Sequence, residues 1–352
     1  MLGAWGLLDA TRRAQALALA AWLPESPPRA GIEIAAGPIW RLVDLAPESR
    51  AAPVLLVPAP IKRATILDLA PEASLVDRLA SLGWRPFLLA WREPEVAQAR
   101  CGLDDYAGRA LPAAAAAVAA RAGAAPWLVG HSLGGTFAAI AALAAPARAR
   151  GLVLVHAPLG FAPGSSPFRD ALVRLAPHLS AGDGLVPGSL LSFVSAAAAP
   201  ATFLAERAAD ALACAGDPEA LRLHLRVERW TLEEACLPAA LVRDVLERLW
   251  RADELVRGTL RVGGARLGPE RLLVPLLAIA SPADAIAPPA AVTPFLAAAC
   301  GAETRLVRWP MERGTVFAHL AAVLGRSAHA RLWPAVSRWM ARRSPASRAP
   351  QR

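Results

Sequence analysis

Trp127-Leu128-Val129-Gly130-His131-Ser132-Leu133-Gly134-Gly135-Thr136 carries the reading of this chain. An apolar strand, Trp127 to Val129, runs straight into Gly130, and a helical run of small residues, Leu133 to Ala144, begins directly after Ser132. The G-x-S-x-G pattern alone is weak, because Gly and Ser are common enough for it to arise by chance. Its setting gives it meaning: a nucleophile elbow needs the serine at the apex of a sharp, strained turn between a strand and a helix. Gly130 and Gly134 meet that demand, since side chains at either position would clash across the turn.

Working outward, short apolar runs alternate with helical stretches on both sides of the elbow. Ile32 to Ile34, Ile39 to Leu45 and Pro53 to Val57 read as strands, the last apolar throughout, as strands buried in a parallel sheet are. A helix at Ser74 to Leu82, a strand at Arg85 to Ala90 and a helix at Leu103 to Ala122 lead to the elbow, and the strand Gly151 to His156 follows it. This alternation predicts right-handed βαβ units and an α/β fold with a mostly parallel, doubly wound sheet. From about Gly160 the strands stop, and stretches such as Pro218 to Val227 and Leu237 to Arg251 predict a helical cap inserted at 163–258. Strands resume at Leu260 to Val262, Leu272 to Ala280 and Glu303 to Arg308, and a closing helix spans Arg326 to Arg342. The expected division is an N-terminal amphipathic helix in 1–30 stopped by Pro24, Pro27 and Pro28, core halves at 31–162 and 259–343, and a disordered tail at 344–352.

A serine hydroxyl is a poor nucleophile and needs a base, oriented in turn by a third group. In this architecture the order along the chain is Ser, acid, His, each in a loop after a strand. The strand ending at Ala280 leads into Ser281-Pro282-Ala283-Asp284, whose only acid is Asp284, whereas the strand before Ala157 meets no carboxylate until Asp170. His319 lies between the last strand and the last helix and is the expected base; His329, inside the helical run, reads as structural, and His131 should point away from Ser132. Taken singly, a Ser in a turn, an Asp before a Pro and a lone His are commonly structural. Their order and loop positions together predict catalytic Ser132, Asp284 and His319. Two backbone N–H groups should form the oxyanion hole: that of Leu133, and one from the loop after Val57. Pro58 and Pro60 have none, which leaves Ala59, with Ile61 the fallback.

Composition excludes other classes. With 352 residues, 55% hydrophobic and 19% charged, the chain is too long and apolar for a disordered or disulfide-stapled protein. The net charge of +9 comes almost wholly from dispersed arginines, Lys62 being the one lysine, and no groove-reading motif accompanies them, so no nucleic-acid partner is expected. Cys101, Cys214, Cys236 and Cys300 stand far apart, which reads as reduced, mostly buried thiols in a cytoplasmic protein without a metal site or cofactor. Arg12 and Arg13 interrupt the apolar N-terminal stretch, so neither a secretory signal nor a transmembrane segment is expected.

The chain resembles the polyhydroxyalkanoate (PHA) synthases, particularly their short catalytic subunits. The resemblance covers residues 36–342 and rests on VPAPIKRATILDLAPEASLV (57–76), LLAWREP (88–94), LDDYAGRALPAA (103–114), GHSLGGTF (130–137), GLVLVHAPLGFAPG (151–164), VERWTLEEACLP (227–238), LVRGTLRVGGARLGPERLLVPLLAIASPADAIAPP (255–289) and AHLAAVLGRSAHARLWP (318–334). It implies an α/β-hydrolase fold, with Ser132 as nucleophile, Asp284 as acid, His319 as base and the insertion as a cap. It also implies an acyl-CoA or ester substrate or PHA polymer, a homodimer or a second synthase-type subunit, and a place in the cytoplasm at the granule surface. Four positions depart from the family pattern: Ser132 replaces its Cys, Lys62 its Asn, Ala285 its His and Ala318 its Gly. The Ser exchange points to hydrolysis of hydroxyalkanoate esters or thioesters, with polymerisation of (R)-3-hydroxyacyl-CoA, a generic small-ester hydrolase, or a catalytically silent granule scaffold as alternatives.

Overall fold

Four strands are buried along almost their whole length: β3 (Ala52–Val57), β5 (Trp127–His131), β6 (Gly151–Val155) and β7 (Leu276–Ala280). Their side chains must find apolar cover on both faces, and the sequence supplies it with helices between the strands. In the computed structural model, which describes residues 2–23, 29–175 and 183–344, they form the centre of an eight-stranded sheet. β1 (Ile32–Gly37), β2 (Trp40–Asp44), β4 (Trp84–Trp91) and β8 (Thr304–Arg308) complete it, in the order β1-β2-β4-β3-β5-β6-β7-β8. β1 and β2 run antiparallel, as does β2 against β4, and all other neighbours are parallel. This is the α/β-hydrolase arrangement.

Alternate residues of each strand feed two separate cores. Leu55, Val57, Leu128 and Leu154 pack with Val118 and Phe137 on one face, while Val54, Leu56, Val129 and Val155 pack with Leu79, Trp333 and Trp339 on the other. The covering helices are α2 (Leu75–Ser81), α3 (Leu111–Ala122) and α4 (Leu133–Ala144). Removing any of these fully buried leucines to alanine costs about 2–5 kcal/mol.

The N-terminal helix α1 (Leu2–Ala20) packs one face, Trp5, Asp9, Arg12, Ala16 and Leu19, and leaves Leu7 and Leu17 exposed. The proline stop at 24–28 and most of the expected tail lie outside the described residues. Between β6 and β7 come α5 (Pro167–Leu175), α6 (Gly188–Ala198), α7 (Arg207–Cys214), α8 (Pro218–Thr231) and α9 (Ala239–Asp244). The sequence of the insertion shows helical stretches and no convincing strand, but Leu185–Val186 pairs with Leu237–Pro238 as a short antiparallel ribbon. Leu260–Val262 is also not a strand of the main sheet: it folds back on Ala265–Leu267. Gly263 and Gly264 both have positive φ, 59° and 80°, and two such residues form a tight hairpin turn that commits the strand to its immediate neighbour. The chain continues through α10 (Thr293–Ala298) and α11 (Ala321–Leu324) to α12 (Trp333–Ala341). The closing helix starts at Arg326 as expected and is π-wound over Ala328–Leu332 before α12. Of the cysteines only Cys214 is buried; Cys101 and Cys236 are half-buried and Cys300 is exposed, all four as free thiols. No single helix among the described residues is long and apolar enough to cross a membrane.

Candidate active site

Ser132 stands between β5 and α4 with φ 54° and ψ −134°, a conformation side-chain-bearing residues rarely adopt. The surrounding glycines permit it. A Cβ on Gly130 would overlap the Gly135 backbone, and one on Gly134 would overlap the carbonyls of Val57 and Pro58, so the loop after β3 crosses directly over the start of α4. Gly135, not singled out from the sequence, is equally confined: its Cβ would lie 2.5 Å from that of Ala157. Leu133 opens α4, so its N–H has no acceptor within the helix. Ala59 is buried in the crossing loop, and Ile61 lines the same cavity as Leu133 and His319.

Asp284 and His319, 35 residues apart in the chain, meet at the ends of β7 and β8: His319 Nδ1 donates to Asp284 Oδ2 at 2.7 Å. The other carboxylate oxygen accepts from Ile286 N at 2.9 Å. Asp284 is fully buried, which by itself would raise its pKa; the His319 charge and the hydrogen bonds from His156 and His319 outweigh burial and hold the carboxyl well below the usual range. His131 turns away from Ser132, and its Nε2–H donates to the His319 carbonyl at 3.1 Å, bracing the loop that carries His319. Burial pushes the His131 pKa down to about 3, keeping the ring neutral. His329 bonds the Val323 carbonyl at 2.7 Å, the structural role expected of it. Among the described residues the Ser132 hydroxyl makes no hydrogen bond, so its expected link to His319 is not closed; such contacts commonly tighten only when substrate binds.

Three features escaped the sequence reading. His156 donates from Nδ1 to the same Asp284 oxygen at 3.0 Å. At the end of β6 a carboxylate is the residue type that would signal a catalytic acid, and a histidine there carries no such signal. Second, Asp210 of α7 accepts from Gly314 N at 2.9 Å, Val316 N at 3.1 Å and His224 Nδ1 of α8 at 2.8 Å. The insertion thereby holds the loop before His319, in which Val316 sits at φ 65°. Third, Glu234 gathers Arg12 of α1 (2.7 Å), Lys62 (2.7 Å) and Ser192 of α6. Burial pushes Lys62 down to about 8 in spite of this carboxylate.

Above Leu133 and His319 lies a cavity of about 250 Å³, walled by apolar residues of the insertion such as Phe168, Leu191, Val242 and Trp250, with Arg12, Lys62 and Arg207 as its charged lining. Among the described residues two groups have donor types and spacing that could hold a metal ion: His156, Asp284 and His319, and Asp210, Cys214 and His224. In both, the imidazole Nδ1 atoms are engaged on the carboxylate, so a metal would have to break those hydrogen bonds.

No protein-family profile matches the chain. It is 28% identical over 296 residues to the poly(3-hydroxyalkanoate) polymerase subunit PhaC of Haloferax mediterranei, covering 83% of this chain and 59% of that protein. It is 26% identical to the same subunit of Haloarcula marismortui, covering 85% and 63%, and 21% identical to that of Allochromatium vinosum, covering 84% and 82%. It thus spans only 59% and 63% of the first two relatives. Among solved structures it resembles a hydrolase from Pseudomonas aeruginosa (TM-score 0.53, 18% identity, covering 90% of this chain and 99% of that one). A second likeness is the naproxen esterase of Bacillus subtilis (TM-score 0.52, 15% identity, covering 96% and 98%). These two likenesses concern the fold. By sequence the chain is thus similar, over most of its own length, to poly(3-hydroxyalkanoate) polymerase subunits, and its sheet has the α/β-hydrolase fold.

Proposed function

We propose that the chain is a serine acyl-transfer enzyme that hydrolyses hydroxyalkanoate esters or thioesters through an acyl-Ser132 intermediate. The observation that carries this reading is the strained Ser132 elbow beside a buried Asp284–His319 pair, under an apolar cavity. Ser132 Oγ attacks the acyl carbonyl carbon while His319 Nε2 takes the hydroxyl proton. The oxyanion is met by the N–H of Leu133 and that of Ala59 or Ile61. As the bond to the leaving alkoxide or thiolate breaks, the proton passes from His319 to that group. Water then attacks the acyl-serine carbonyl and gives a proton to His319, which returns it to Ser132 as the acid leaves.

Oxygen at the nucleophile position favours hydrolysis over chain growth. A thioester acyl-enzyme, as the family's Cys would form, keeps the activation of a CoA thioester and passes its acyl group downhill to a hydroxyl. An acyl-serine is already an oxyester, so transfer to a hydroxyl end gains little, and water is in excess. Polymerisation is the second reading, favoured by the names of the relatives.

Purified protein offered 3-hydroxybutyryl-CoA, PHA polymer and short p-nitrophenyl esters side by side, with fluorophosphonate labelling, tests both. Labelling of Ser132 with release of free acid is expected; polymer from the CoA thioester would favour the second reading, and absence of labelling would leave a silent scaffold. Ser132→Ala should abolish labelling and lower turnover by up to about a million-fold. Ser132→Cys should lose oxyester hydrolysis and gain acyl transfer to hydroxyl acceptors; if Ser132 polymerises as fast as the Cys variant, the preference for hydrolysis is wrong.

A further inference from the structure

We propose that His156 is a positioning residue of the active site: a second imidazole donor that holds the Asp284 carboxylate in the orientation its pairing with His319 requires. The proposal rests on the reading of Asp284 and His319 as acid and base. Asp284 Oδ2 lies 2.7 Å from His319 Nδ1 and 3.0 Å from His156 Nδ1. An ionised carboxylate only accepts, so both Nδ1 atoms must carry hydrogen. That tautomer leaves His319 Nε2 with a lone pair, as a general base needs. It also leaves His156 Nε2 as a bare acceptor, and this atom is buried with no partner among the described residues.

His156 is an expensive residue for its place. It is fully buried, has φ 48°, leaves a ring nitrogen unpaired, and burial lowers its pKa so that the ring stays neutral. A small apolar residue would escape the unpaired nitrogen and the desolvation of the ring. What the imidazole supplies instead is the second bond to Oδ2. With Oδ1 already held by Ile286 N, that bond fixes the plane of the carboxylate and takes up part of its charge. The titratable groups facing His156 are Asp284 and His319, with His131 beyond them.

Two variants separate positioning from packing. Asn places Nδ2 where His places Nδ1 and tolerates positive φ, so His156→Asn should retain most of kcat. His156→Leu removes the donor. Its kcat on a p-nitrophenyl ester should fall about 10- to 100-fold, the scale of a lost hydrogen bond to a charged group, with KM little changed. Its acidic limb should move to higher pH, because the undiminished Asp284 charge holds the proton on the base more strongly. Equal loss in both variants, or a Leu variant with unchanged kcat and pH profile, would overturn the proposal. Proton NMR of the wild-type protein with labelled histidine is independent of activity and of variant folding. Two strongly downfield imidazole N–H signals are expected, one of them absent in His156→Asn, and a single such signal in the wild type would sink the idea. If the wild type neither labels nor hydrolyses, the proposed function fails while this spectrum still tests the His156 bond.

Discussion

Around Ser132 the packing leaves no space for one more methyl group, and substitutions there should act through the backbone. A Cβ at Gly134 would meet the carbonyls of Val57 and Pro58, neither of which can move without displacing the candidate oxyanion loop. Gly134→Ala should therefore destabilise the fold by about 1–3 kcal/mol and suppress fluorophosphonate labelling by more than the stability loss explains, as thermal unfolding and labelling rates will show. Asp284 supports a second test. Its folded pKa lies below the ordinary aspartate value of 3.8, so the stability it contributes is present above that value and is lost as pH falls through the folded pKa. Asp284→Asn should be less stable at neutral pH and show a shallower decline between about pH 4 and 2 in denaturant titrations, because the depressed carboxyl is gone.

At the scale of elements, α7 and α8 bear on a loop far away in sequence. Asp210 accepts both the Gly314 and Val316 amides and is itself held by His224. Asp210→Ala leaves those amides without acceptors. The expected result is a loss of about 1–3 kcal/mol, faster hydrogen exchange at residues 314–317 and a lower kcat, with the sheet amides unchanged. Glu234 acts likewise on α1 and the loop after β3. Glu234→Gln should cost about 3 kcal/mol, since the half-buried Lys62 then stands beside Arg12 without a counter-charge, and limited proteolysis should release α1 sooner. Neither clamp was legible in the sequence. Asp210 and His224 sit on helices and Glu234 in the loop after α8, places where a solvated side chain is the ordinary expectation, and only the docking of the insertion buries them.

For the whole molecule, the insertion closes an apolar space over the sheet's C-terminal edge, and its volume sets what can enter. Val242 lines the cavity of about 250 Å³. Val242→Trp should fill much of that space and reduce kcat/KM for octanoyl esters at least tenfold relative to butanoyl esters, with labelling by a small fluorophosphonate retained. An unchanged chain-length preference would place the acyl group elsewhere.

The strand–helix alternation, the elbow and the order Ser132, Asp284, His319 were determined by the sequence itself, because each rests on local rules: apolar periodicity, glycines where side chains do not fit, and loops at strand ends. The structure carries the Asp284–His319 contact. Tertiary structure alone decided the rest. Leu260–Val262 is apolar enough for the core, yet two positive-φ glycines turn it into a hairpin. Leu185–Val186 becomes a strand only because Leu237–Pro238 arrives beside it. His156 and Glu234 take their partners from 128 and 222 residues away, His156 from Asp284 and Glu234 from Arg12. A pairing at that distance leaves no mark on either neighbourhood, since its energy exists only when burial removes water and the other side chain is brought within reach.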